Sequence, residues 1–235
     1  MKILFKITTL LLFSLTGFAQ RSDGLRGQIF SFSPASYKVE KVNGMALGIG
    51  HFWTKNMPCK INGLNIEVNP VSPILFLFQD PDYVENDSLR MTMNGLHLST
   101  GGFAGGIKLN GAGVSLYNVN YATNGFTVNG LYNVSKTLNG LHISGLYNVA
   151  DKARGMLVAG ANDVADFGGF RIGIYNKSVT TAGLNIGVVN LNKEGMHGLQ
   201  IGVFNRTGKC KGLQIGLWNS NNKRSLPFIN WNFKD

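Results

Sequence analysis

The chain has 235 residues, 31 of them glycine, with 14% charged residues and a formal net charge of +10. Low charge together with 44% hydrophobic residues excludes a disordered polyelectrolyte. The abundance of Gly and Asn favours short strands and tight turns over helices.

Lys2 and Lys6 form a positive amino-terminal region, Ile7 to Phe18 are mainly apolar, and Gly17-Phe18-Ala19 supply small residues ahead of Gln20. This pattern predicts a secretory signal peptide over residues 1–19. The apolar stretch is shorter than the roughly 20 residues that span a bilayer as a helix. No Cys follows the cleavage site, so a lipid-anchored terminus is not expected. Residues 20–235 then form a single all-β repeat domain, in which no apolar run approaches the roughly 18 residues of a membrane helix. Export argues against a nucleic-acid partner, despite a pI near 9.7. The singly scattered Lys and Arg residues read as solvated turn tips with weak attraction to anionic lipid or polysaccharide.

Short related segments begin at Asn43 (NGMALGIG), Asn62 (NGLNIEVN) and Asn94 (NGLHLSTGG). Between residues 70 and 92 the repetition lapses. The acidic cluster Asp80, Asp82, Glu85 and Asp87 lies there and lacks the Gly and terminal Glu of a calcium loop, so it reads as an exposed connection. Gly101-Gly102-Phe103-Ala104-Gly105-Gly106 is followed by strand-like alternation, not by the helix that a phosphate loop requires.

From Gly111 to Asn219 the repeat is clear: GAGVSLYN at 111, GFTVNGLYN at 125, GLHISGLYN at 140 and GMLVAGAND at 155. GFRIGIYN at 169, GLNIGVVN at 183, GLQIGVFN at 198 and GLQIGLWN at 212 complete it, with starts 14 or 15 residues apart. The second and fourth positions are apolar and the third is mostly polar (Thr127, His142, Arg171, Asn185, Gln200, Gln214), which is the period of a strand. Five or six turn-like residues follow each terminal Asn. A final aromatic strand is predicted at 226–233.

Two arrangements fit this pattern. The favoured one is a closed antiparallel meander, an outer-membrane-type β-barrel of about 12 to 14 short strands. The motif is nearly palindromic about Ile215, and strand 226–233 would close the barrel. The alternative is a β-solenoid, in which Asn stacks on Asn and Gly on Gly. A straight nine-residue arm runs about 30 Å, so a solenoid must bend the motif at its central Gly. The NGLxΦxGLYN, GLQIGLxN and LPFINWNF segments together resemble the uncharacterised Gly/Leu/Asn surface-repeat proteins of Bacteroidota and spirochaetes, over residues 43–233. That resemblance implies an outer-membrane or cell-surface location and no established activity.

Little in the sequence points to chemistry. His97 and His142 occupy the slot that elsewhere holds Thr, Arg, Asn or Gln, so they read as structural; His51 and His197 belong to no metal-ligand motif. Whether Cys59 and Cys210 pair is left open by the sequence. Tyr117, Tyr132, Tyr147, Tyr175, Phe204 and Trp218 recur before the terminal Asn and suit an interfacial girdle or a glycine-covering ladder better than a sugar platform. No catalytic, cofactor-binding or metal-binding residue is assigned and no cofactor is expected. The expected function is a non-enzymatic structural or interaction protein at the outer membrane or cell surface. Its expected partners are outer-membrane lipid, surface polysaccharide or another protein.

Overall fold

The computed structural model describes residues 27–33, 39–50, 59–69, 89–103 and 105–233. The signal peptide, the acidic cluster at 80–87 and His51 lie outside the described residues. The described chain is all-β. Its strands are β1 (Gln28–Ser33), β2 (Lys41–Gly48), β3 (Cys59–Glu67), β4 (Met91–Ser99), β5 (Ile107–Ser144), β6 (Tyr147–Val158), β7 (Ala161–Ile201), β8 (Phe204–Ser220) and β9 (Ser225–Asn232).

Each strand from β1 to β8 pairs in parallel with the next, repeat on repeat: Asn133 lies against Asn148 and then Asn162, and Gly140 against Gly155 and then Gly169. The architecture is therefore a β-solenoid of about ten coils, and the antiparallel barrel expected from the sequence is incorrect. Strand 226–233 does not close a barrel either. As β9 it pairs antiparallel with β8 and covers part of the last coil's open edge, a common way to blunt an edge strand.

Buried amides explain why parallel stacking prevails over the palindrome. Antiparallel pairing would set Leu against Leu but carry successive Asn side chains to opposite ends of the strands. Parallel stacking places Asn148, Asn162, Asn176, Asn190, Asn205 and Asn219 in one buried column, each Nδ2 donating to the next Oδ1 at 2.8–3.0 Å. A second column, partly exposed, runs through Asn43, Asn62, Asn94, Asn110, Asn124 and Asn139 at 2.7–2.8 Å. A buried amide left without partners costs about 1–3 kcal/mol, so such ladders select the register.

The bend demanded by geometry is present. Regular strand breaks at Gly145-Leu146, Ala159-Gly160 and Gly202-Val203, in the middle of the motif. The extra residue of GLHISGLYN is absorbed at the first of these bends. The opening glycines make a second corner, with φ from 117° at Gly140 to 154° at Gly44. A Cβ at Gly183 would run into the carbonyl of Gly169 one coil below, so side chains are excluded there by contact as well as by backbone angle.

The coil is inverted relative to an oily core. The polar slot points inward: His97, Thr127, His142, Arg171, Asn185, Gln200 and Gln214 are fully buried. The neighbouring Leu and Ile residues point outward. The apolar interior column instead lies two residues before the opening Gly, at Val42, Ile61, Met93, Leu109, Leu138, Ala153, Phe167, Met196 and Cys210, with buried Thr123 and Thr181 at the same position ahead of Gly125 and Gly183. The stretch expected to be turn is therefore strand with a buried face.

Candidate interaction surface

The motif G-Φ-x-N fixes the outward wall. Asn219 Nδ2 donates back to the Gly216 carbonyl at 3.0 Å and Asn205 Nδ2 to the Gly202 carbonyl at 3.4 Å, which holds the bend closed. A Cβ at Gly202 would meet the Gly187 carbonyl and the Asn190 amide, so glycine is required where the ladder passes. The residues flanking that glycine turn outward in pairs: Ile172 and Ile174, Ile186 and Val188, Ile201 and Val203, Ile215 and Leu217. With Phe228 and Ile229 of β9 they line an open apolar groove of about 1070 Å³ that crosses the coils. Ile174 is 66% exposed and Leu217 62%. The wall continues toward the amino terminus through half-exposed Leu146, Phe126, Val114 and Leu96. Exposed apolar side chains repeated at one place coil after coil mark a candidate contact face.

The borders of the wall are different. On one side, exposed Lys41, Lys60, Lys152, Arg154, Lys209 and Lys211 occupy positions one and three before the opening Gly. Lys41 and Lys60 are register partners, so two like charges stand on adjacent coils. On the other side come Tyr175, Phe204 and Trp218, and beyond the ladder Asn the exposed Lys177 and Arg206. Asp163 and Asp166 on these borders are engaged: Lys177 Nζ lies 2.6 Å from Asp163, and Arg154 holds Asp166 with its carboxyl below the usual range. A second groove of about 630 Å³, lined by Tyr175, Lys177, Lys193, Asn192 and Arg206, lies past the aromatic border.

The aromatic column divides into two halves. Tyr117, Tyr132 and Tyr147 stack at 5.4 and 5.0 Å, and the first two are buried. Tyr175, Phe204 and Trp218 are exposed.

Among the described residues considered for chemistry, His97 and His142 are built into the interior. His142 Nδ1 lies 2.8 Å from Thr127 Oγ1, and burial holds its pKa down to about 4. His97 Nδ1 is 3.1 Å from Asn65 Nδ2, with its ring stacked on Phe103 at 3.8 Å. His197 is exposed on the cationic border. Cys59 and Cys210 are separate, buried thiols whose pKa burial raises. The amides of the 101–106 segment serve the fold: Gly105 donates to the Val119 carbonyl at 2.6 Å and Phe103 to Asn118 Oδ1 at 3.3 Å. Among the described residues no three His, Cys, Asp or Glu side chains converge as a metal site.

Arg171 is the buried residue that sequence reasoning missed. It fills the polar slot with no exposure, and its guanidinium donates to Asn185 Oδ1, the Lys177 carbonyl, Ser178 Oγ and Thr181 Oγ1 at 2.7–3.3 Å. It lies over the Phe167 ring, and burial lowers its pKa to about 9. The signal available in the sequence was the alignment of Arg171 with Gln200 and Gln214, a column whose polar side chains point into the coil. Compared with known protein families, with curated proteins and with solved structures, the chain shows no match to any.

Proposed function

We propose that the chain is an exported, non-catalytic scaffold of the cell surface and that its outward apolar wall is the face it presents to a partner. The observation that carries this reading is the inversion of the coil. Hydrogen-bonded polar columns share the interior with one apolar column, while the Leu, Ile and Val of the motif are repeated outward coil after coil where no other part of the described chain covers them. Apolar residues kept at a solvent-facing position through many copies suit a contact surface. The predicted signal peptide supports export. A non-catalytic role is supported by His97 and His142 being engaged inside the coil.

Fractionation of cells producing the full chain tests this reading. The protein is expected in the envelope fraction, accessible to added protease, and Ile174→Lys with Leu217→Lys should move it to the medium. Recovery of the unprocessed chain in the cytoplasm would overturn the reading. A second role, as a binder of acidic surface polysaccharide, is favoured by the groove that sets Tyr175 beside Lys177, Lys193 and Arg206. In that case Arg206→Ala with Lys193→Ala should abolish retention on an acidic polysaccharide resin and leave the wall variants retained.

A further inference from the structure

We propose that the occupant of the apolar wall is an anionic lipid surface, on which the solenoid lies sideways without crossing it; this deepens the scaffold reading above and rests on it. The argument begins with the sequence of chemistries around one coil. Following the chain through one coil, one meets the cations Lys209 and Lys211 ahead of the corner glycine, then three apolar positions at Leu213, Ile215 and Leu217, then an aromatic at Trp218, and past the ladder Asn a cation again at Arg206 on the preceding coil, with Lys177, paired to Asp163, two coils further back. An apolar strip edged by aromatic rings and positive charge is the profile of an element that rests in the headgroup zone with its apolar side about 5–10 Å deep. Trp and Tyr favour the boundary itself.

Charge decides between a bilayer and a second copy. Two walls brought face to face would set the Lys and Arg borders of one copy near those of the other, with Asp163 and Asp166 already engaged by their own cations. An anionic surface attracts both borders at once, and each Lys or Arg held near it contributes on the order of 1 kcal/mol. Shape decides between a surface and an enclosed ligand: the groove is open along its length and floored by backbone at Gly173, Gly187, Gly202 and Gly216. Spanning is ruled out by the remaining walls. They carry Lys136, Lys193, Glu194 and Lys223, and the interior carries Arg171, so one side alone is suited to hydrocarbon.

Vesicle flotation of the purified mature chain tests the inference, using phosphatidylcholine alone or mixed with phosphatidylglycerol. The protein should float with the mixed vesicles and much less with phosphatidylcholine, and Trp218 fluorescence should shift to the blue. Ile174→Asp with Leu217→Asp should lower vesicle affinity at least about tenfold, since each places a charge in the apolar layer. Lys60→Glu with Lys209→Glu should lower it as well, and so should about 1 M salt, where the Debye length is about 3 Å. Circular dichroism of each variant checks that the coil persists; a variant that loses its strand signal is replaced by Ile174→Ser with Leu217→Ser. Failure to float with either composition would overturn the proposal, as would flotation indifferent to the wall substitutions. A dimer that the wall substitutions dissociate would overturn it in favour of self-association. Envelope retention that depends on the wall, without vesicle binding, would overturn the lipid surface and leave the scaffold reading standing.

Discussion

At the scale of single residues the molecule depends on buried polar groups hydrogen-bonded to their counterparts on the coils above and below. Asn190 accepts from Asn176 Nδ2 at 2.9 Å and donates to Asn205 Oδ1 at 2.8 Å and the Ile201 carbonyl at 3.0 Å. Asn190→Ala strands three partners in the interior and should lower the unfolding free energy by about 3 kcal/mol or more. Exposed Lys193→Ala should stay within about 0.5 kcal/mol, both read from urea midpoints. His142 gives the pH dependence. Its pKa is about 4 folded against 6.5 for the free side chain, so the unfolded chain takes up the proton first as pH falls. Stability contributed by the neutral imidazole is complete above about pH 6.5 and is lost between there and about pH 4, amounting to about 3 kcal/mol. His142→Gln should flatten that part of the stability–pH curve, and an unchanged slope would disprove the assignment.

At the scale of the element, the coil is the unit of construction. Excising residues 183–197 joins Ala182 to Gly198 and restores both the Asn and the glycine columns. The shortened chain should fold with about one-tenth less strand signal, in proportion to the coil removed. Excising residues 183–189 alone removes half a coil, sets the two parts of the stack out of register and should lower the urea midpoint far more than the fifteen-residue excision. The coil was partly legible in the sequence. The 14–15-residue period, the strand alternation of GLQIGLWN and the recurrent Asn were read directly, and the bend at the central Gly was recognised as the condition for a solenoid. The near-palindrome about Ile215, the aromatic strand 226–233 and the bend that a solenoid requires all favour a barrel on sequence alone, and the buried Asn ladder that decides otherwise shows only in the structure. Periodicity reports two faces but not which is inside. The interior apolar column at Leu138, Met196 and Cys210 is hard to see in the sequence because neighbours such as Lys136 and Lys209 give the segment the composition of a turn.

At the scale of the whole molecule, the strands of the described residues pair in sequence order, each coil with the next, so protection should vary along the axis. Backbone amides of the middle coils, near Asn133 to Asn190, should exchange with deuterated solvent last, and those of β1 and β9 first. Uniform protection from end to end would mean that the stack opens only as one body.

The hydrogen-bonded interior has a calorimetric consequence. Unfolding a typical domain raises the heat capacity by about 12–15 cal/mol/K per residue, because apolar surface becomes wet. In this chain the Leu and Ile of the wall are already half wet when folded, and much of what unfolding uncovers is amide. Scanning calorimetry should therefore return a value below that range. The resulting stability curve is shallow, and the stack should hold its coils over a wide span of temperature, cold as well as warm.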